Sequence, residues 1–416
     1  MVYRNANEVY HSYLLDILTN ENAVVKMSRA GMTVGTAGEK MQFDLSQGVP
    51  LINTKRLFTR GVIHELAWFL NGTAPDGELH IDYLVKNKCD FWTGNLFDFY
   101  NVKRGFKEPK YSPKWESEYA DFGQKLLVDP EFAALHGSLG RPYSAQWRTW
   151  RSSDINSAED QKAYVDKHED WINQFGKDGA VANLRRERVQ KHAQHKTVDQ
   201  LANALDQVRA KSDSRRIIVE AWRPDELANM ALPPCHKDIQ FVVMNDRLDI
   251  LMHQRSCDSF LGVPFNIACY AMLGTWAAKL AGLKPGVFTH FLADTHIYCG
   301  DTVQGAWYKD NFAQIQDRLR AVKQPADYLS IKEWIEAESP KGKIEPGKGK
   351  ESFDHLTAVL TQLSQDTKAH PMATLDVVVD SSKSSKELLD TVKFEDFTVS
   401  GYNEKDYKFI PRRMPV

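Results

Sequence analysis

The stretch Val263–Gly282, VPFNIACYAMLGTWAAKLAG, carries a single charge, Lys279. It reads as a long helix with no face suited to water, so other elements must enclose it. Upstream, Arg216–Trp222 (RIIVEAW), Asp238–Val243 (DIQFVV) and Arg247–His253 (RLDILMH) are rich in strand formers. Asn245-Asp246, between the last two, is a hairpin-turn signal. Downstream, Val287–Tyr298 (VFTHFLADTHIY) reads as another strand. The expected class is α+β: a mixed sheet with helices on its face and helical segments inserted into it. The longest apolar stretch, around Ile267–Leu280, is too short and too interrupted to span a bilayer.

Away from this centre, residues 5–19 read as an amphipathic helix, with Val9, Tyr10, Tyr13, Leu14 and Ile17 on one stripe. Residues 40–54 carry short strands punctuated by Gly48 and Pro50, and residues 60–71 a mostly buried helix that Gly72 can stop. Three stretches, about 104–128, 152–205 and 305–390, are more charged or helix-prone and read as insertions. The last contains Ser339–Phe353 (SPKGKIEPGKGKESF), expected as an exposed loop. Residues 1–416 are expected to form one catalytic domain with these insertions.

A formal net charge of -2 leaves no general basic field for a nucleic-acid polymer, so any anion site is local. The five cysteines form no C-x-x-C pair, which fits a reducing cytoplasm better than a disulfide framework. The N-terminus lacks the apolar core of a signal peptide. No metal-ligand spacing, P-loop or G-x-G-x-x-G pattern appears, and no metal is expected.

Chemistry concentrates at a few places. In Leu232-Pro233-Pro234-Cys235-His236, two prolines fix the backbone just before a cysteine. Cysteines are commonly inert core, but Gln254-Arg255-Ser256 lies one hairpin away, and a guanidinium favours the reactive thiolate. Arg215-Arg216 enter a strand, and with Arg255 and Arg29 they are candidate phosphate ligands through bidentate hydrogen bonds. Strand alternation puts His296 and Tyr298 on one face. Glu65 lies within the apolar run VIHELAWFL, where a carboxylate either pairs or works.

In order, MQFDLSQGVPLINTKR, RGVIHELAWFLNGT, LGRPYSAQWR, DSRRIIVEAW, LPPCH, QRSCDSFLGVPFNIACYA, LKPG, ADTHIY and FEDFTVSGY resemble the thymidylate synthase family from about residue 25 onward. The resemblance implies that Cys235 attacks C6 of the pyrimidine of dUMP. C5 then takes a one-carbon unit from 5,10-methylenetetrahydrofolate. It implies that Glu65 manages protons, and that Arg29, Arg215, Arg216, Arg255 and Ser256 hold phosphate, with Gln254 also on the nucleotide. It implies that His296 and Tyr298 hold the sugar, and that Tyr143 lies near the nucleophile and base. Trp92, Asp258, Gly262, Phe265 and Val416 are implied on the folate side. The implied assembly is a homodimer with Arg215 and Arg216 donated across the interface.

Asn266 resembles the family's selector of uracil, since an amide matches uracil's donor–acceptor pattern where a carboxylate matches cytosine. The sequence also departs from the family. Thr93 replaces an Asp after Trp92, and Arg223 replaces an Asn before Pro224. Arg141 and Ser144 flank Tyr143 atypically, and Ala30 and Met32 follow Arg29. The first two departures resemble bacteriophage cytidylate hydroxymethylases. The expectation is therefore a phage deoxyuridylate hydroxymethylase acting in the host cytoplasm. A thymidylate synthase and an inactive nucleotide- or RNA-binding regulator are the alternatives.

Overall fold

The computed structural model describes residues 5–340, 353–369 and 371–414. Its ten strands among these are β1 (Val24–Ser28), β2 (Gly31–Asp44), β3 (Trp150–Ile155), β4 (His195–Val198), β5 (Ile218–Glu220), β6 (His236–Met244), β7 (Arg247–Asp258), β8 (Lys284–Tyr298), β9 (Thr374–Val377) and β10 (Phe397–Ser400). The chain divides into two compact units. The first comprises residues 1–62, 239–379 and 397–416; the second comprises 63–238 and 380–396.

The first unit is built on the expected mixed sheet, with β1, β2, β8, β7 and β6 side by side. β2 pairs antiparallel with β8 from Thr33 opposite Tyr298 to Asp44 opposite Val287. β7 pairs parallel with β8, bringing Asp258 level with His296. Parallel neighbours need a crossover, and the apolar helix, Gly262–Leu280, supplies it. At Gly274 this helix lies so close that a Cβ would meet the Ile250 side chain at 2.7 Å. At Gly35 of β2 a Cβ would come within 2.2 Å of the Thr295 carbonyl oxygen, so glycine lets the strand lie tightly against the His296 region. The Ala6–Thr19 helix buries Tyr10, Tyr13, Leu14 and Ile17, four of its expected stripe.

The second unit is mainly helical. β5 pairs beside the opening residues of β6, where the Ala221 N–H donates to the Lys237 carbonyl. β3 and β4 form a two-stranded ribbon that brackets the helices Ala158–Lys167, Glu169–Ile172 and Ala180–Ala193. Those helices have a small core of their own: Ile172, Ala182 and Val189, with Tyr164, Val165 and Trp171 packed on it. The expected insertion at 152–205 is thus a self-cored helical element opened and closed by a hairpin-like ribbon.

Several local expectations change. Residues 40–44 are the end of the long strand β2, not separate short strands, because β8 templates it from Thr33 through Asp44. Arg215 and Arg216 lie in a turn ahead of β5 rather than within it. Most of the loop expected at Ser339–Phe353 lies outside the described residues. Among the described residues, no helix is long and apolar enough to cross a membrane.

Candidate active site

In the second unit, Cys235 follows the two prolines and precedes β6, and it is part-exposed where the other four cysteines are buried. Its backbone N–H donates to the Tyr143 hydroxyl at 2.8 Å. Tyr143 is 2% exposed and sits at φ 46°, ψ -112°, a conformation a bulky residue adopts only under constraint. The constraint is aromatic packing: its ring centroid lies 5.2 Å from Phe69, 5.5 Å from Trp92 and 5.2 Å from His236. The side chain that holds the Cys235 backbone is therefore itself held in place.

Glu65 is 7% exposed, on the helix Thr59–Asn71, and accepts a hydrogen bond from the Trp92 indole N–H at 2.8 Å. Burial pushes its carboxyl up to about 7, with the indole bond pulling modestly the other way. Such a group exchanges protons near neutral pH. Arg215 and Arg216 are both exposed.

Beneath Tyr143 the atypical Arg141 is buried. It donates to Glu226 at 2.9 Å and to the Thr149 carbonyl at 2.6 Å. Glu226 also accepts from Gln146 at 2.6 Å and from Arg151 at 3.3 Å. Arg223 pairs with Asp225 at 3.0 Å, donates to the Arg151 carbonyl and lies 5.0 Å from the Trp150 ring. Thr93 begins the helix Thr93–Arg104 and is buried, its methyl facing Gly123 of the next helix. Both departures that suggested hydroxymethylation thus have local structural work.

In the first unit, β7 alternates so that Leu248, Ile250, Met252 and Gln254 are buried while Arg255 is half-buried. Gln254 is fixed at both ends. Its amide donates to the Ser256 carbonyl at 3.0 Å, and its oxygen lies 2.8 Å from His290 Nε2. Because an amide oxygen only accepts, His290 is the donor. Asp258 ends β7, and its Oδ1 accepts from the backbone N–H groups of Phe260 and Leu261 at 3.2 and 3.1 Å. That turn leads into the Gly262–Leu280 helix, which opens with Gly262, Phe265 and Asn266; Asn266 is 8% exposed.

His296 and Tyr298 share a face of β8, their rings edge to face at 5.3 Å. His296 Nδ1 lies 3.2 Å from the Asp294 carbonyl. Hydrogen bonding to His296 and pairing with Lys26 hold the Asp294 carboxyl at about 2. Arg29 is exposed in the turn between β1 and β2. Ser256 is part-exposed on β7, and Val416 lies outside the described residues.

Two arrangements have no counterpart in the sequence reading. Asp76, Glu78 and His80 place their ligand atoms within 4.8 Å of one another. Their alternate spacing is a signal for a shared face, but Arg188 already sits 3.1 Å from Glu78 and 3.8 Å from Asp76 and supplies the cation. In the first unit, His355 lies 3.9 Å from Asp258, on a segment with no motif to single it out.

The family model described as thymidylate synthase matches residues 8–412. A thymidylate synthase of Listeria monocytogenes serotype 4a is 33% identical over 292 residues, covering 67% of this chain and 79% of the relative. A thymidylate synthase of Listeria innocua serovar 6a gives the same identity and coverage. A thymidylate synthase of Haloferax volcanii is 30% identical over 402 residues, 95% of each chain.

Proposed function

We infer the reaction from one premise: the chain belongs to the thymidylate synthase family. The Cys235 thiolate adds to C6 of dUMP, which makes C5 a carbon nucleophile. C5 bonds to the methylene carbon that 5,10-methylenetetrahydrofolate supplies, then loses its proton as the bond from that carbon to the folate N5 breaks, which leaves an exocyclic methylene and tetrahydrofolate. Hydride from the tetrahydrofolate adds to that methylene to complete the methyl group, the C6–S bond breaks to free the Cys235 thiolate, and the folate becomes dihydrofolate. The product is thymidylate, and the folate leaves as dihydrofolate.

The observation carrying this reading is the wiring of Cys235, Tyr143, Trp92 and Glu65: a part-exposed thiol on a fixed backbone, and a buried carboxyl poised near neutrality. Covalent catalysis needs the first, and proton removal from C5 the second. Asn266, shielded from water at the head of its helix, reads the uracil edge. His296 and Tyr298 hold the sugar. Arg29, Arg215, Arg216, Arg255 and Ser256 hold the phosphate. Asp258, whose Oδ1 is anchored by two backbone donors, faces the folate with Trp92, Gly262 and Phe265. The working form is a homodimer in which Arg215 and Arg216 serve the partner's site.

The second reading, water addition to give 5-hydroxymethyl-dUMP, rests on Thr93 and Arg223. The packing of Thr93 and the pairing of Arg223 with Asp225 account for both residues without it. The relatives' names also favour the methyl product. The test is to incubate the protein with dUMP and methylenetetrahydrofolate and weigh the nucleotide. A CH₂ gain with equimolar dihydrofolate is expected; a CH₂O gain without folate oxidation would establish the hydroxymethylase.

A further inference from the structure

The insertion at 152–205 meets the two segments that lead into the Tyr143 turn. Residues 79–81 and 137–140 run side by side: the Leu79 N–H donates to the Gly140 carbonyl at 2.8 Å, and the Leu139 N–H to the Leu79 carbonyl at 2.9 Å. The Tyr164 hydroxyl, on the first inserted helix, donates to the nearby Pro75 carbonyl at 3.0 Å. Arg188, on the last inserted helix, pairs with Glu78 at 3.1 Å. Glu78 in turn accepts from the Ser138 hydroxyl at 2.5 Å, and the Ser138 oxygen accepts from the Gly140 N–H at 3.0 Å. One arginine of the insertion thus reaches the entry to the turn through one carboxylate.

A second arginine reaches the turn itself. Arg151, on β3 at the insertion's entrance, donates to Glu226 at 3.3 Å. Glu226 also accepts from Arg141 Nε at 2.9 Å and from the Gln146 amide at 2.6 Å. Gln146 donates to the Arg141 carbonyl as well, at 2.7 Å, so residues 141 and 146 are tied to each other across Tyr143 and to one shared carboxylate. Burial works against the charged form of Glu226, but Arg141, Gln146 and Arg151 outweigh it and hold the carboxyl below its usual range. Removing a cation from so enclosed a carboxylate leaves buried charge uncompensated, which costs far more than breaking a surface pair.

Tyr143 stands between these anchors at φ 46°, and its hydroxyl accepts from the Cys235 N–H. We propose that the insertion braces the Tyr143 turn: Arg188 through Glu78, and Arg151 through Glu226, are positioning residues that hold Tyr143 and with it the Cys235 backbone. The consequence for turnover rests on the reading above, in which Cys235 is the nucleophile. Neither arginine is among the residues assigned to nucleotide or folate. Their loss therefore misplaces the thiol without removing a binding contact, and it lowers kcat rather than raising KM.

Two measurements on the full chain test this. Hydrogen exchange of the peptides spanning residues 138–147 and 231–238 should be at least ~10-fold faster in Arg151→Ala and in Arg188→Ala than in the parent. Arg186, on the same helix as Arg188, pairs instead with Glu169 inside the insertion, at 3.6 Å, so Arg186→Ala should leave both peptides at the parent's rate. Unchanged exchange in Arg188→Ala, or equal acceleration by Arg186→Ala, would overturn the brace, whatever the substrate proves to be. Arg188 is only partly buried, so its variant decides the matter if Arg151→Ala fails to fold. In steady-state kinetics with dUMP and methylenetetrahydrofolate, both variants should lower kcat ~10-fold and leave both KM values within about threefold. Arg151→Lys, which retains a cation for Glu226, should recover part of the loss. Raised KM values with kcat unchanged would overturn the positioning role. A parent protein that does not turn over dUMP would remove the thymidylate reading, with the exchange result still deciding the brace.

Discussion

Glu65 and Tyr143, on one hand, and Arg29, Arg215 and Arg216, on the other, are built on opposite principles. The first two are almost wholly buried and are held by an indole, a strained backbone and packed rings. The three arginines are exposed, Arg29 at a turn and the adjacent pair ahead of a short strand. A proton-transfer group gains its working pKa from desolvation, so it must be enclosed before substrate arrives. A phosphate ligand needs only charge and reach, and an exposed guanidinium bears less desolvation cost than a buried one. Losing a member of the enclosed set should therefore stop chemistry, while losing an exposed arginine should weaken binding.

The sharpest break falls on Cys235. Cys235→Ala should abolish turnover, whereas Cys257→Ala, which removes a wholly buried thiol, should leave substantial activity. Equal losses would mean that the LPPCH context does not mark the nucleophile. Next in size are the exposed arginines. Arg216→Ala should raise the KM for dUMP by about 10- to 100-fold with a smaller change in kcat, as expected for a lost charge-assisted hydrogen bond. Mixing Arg216→Ala with Cys235→Ala subunits should restore the parent's low KM for dUMP if each arginine serves its neighbour. Heterodimers that form but keep the raised KM would place the clamp in the same subunit as its nucleophile. Asn266→Asp should cost about 10-fold in dUMP use and improve relative use of dCMP. An unchanged base preference would take the selector role away from Asn266.

The same contrast explains what was legible in the sequence. Periodicity exposed the Ala6–Thr19 helix, apolar runs exposed the Thr59–Asn71 and Gly262–Leu280 helices, and the Asn245-Asp246 turn exposed the β6–β7 hairpin, because each is decided by residues near one another. β2 escaped: Gly31–Glu39 is rich in Gly and Thr, and from Thr33 onward it pairs with β8, far along the chain, while its first residues also pair with β1. The Glu65–Trp92 bond spans 27 residues, and the His355–Arg413 contact spans 58. Neither has a local signature. Cys235, Asn266, His296 and Tyr298 stood out because each sits in an ordered motif; His355, on a segment with no motif, did not.

The smallest expected effect tests the enclosed carboxyl itself. Glu65 has its folded-state pKa at about 7 against an ordinary 4.5. Between those values the folded protein holds a proton that the unfolded chain has released, so this group's contribution to stability falls as pH rises through the window. The deficit is absent well below 4.5 and fully developed above 7, where the displacement corresponds to about 3 kcal/mol. Glu65→Gln removes the charge but keeps a carbonyl to accept from the Trp92 indole. Its Tm should therefore exceed the parent's by a few degrees at pH 8, and the gap should narrow steadily toward pH 5. Trp92→Phe removes the bond that favours the charged form, so it should raise the Glu65 pKa and move the acid limb of the kcat profile to higher pH. A Tm difference for Glu65→Gln that is the same at pH 5 and pH 8 would mean that Glu65 is not held near neutrality. In that case the proton chemistry would have to be sought on another group.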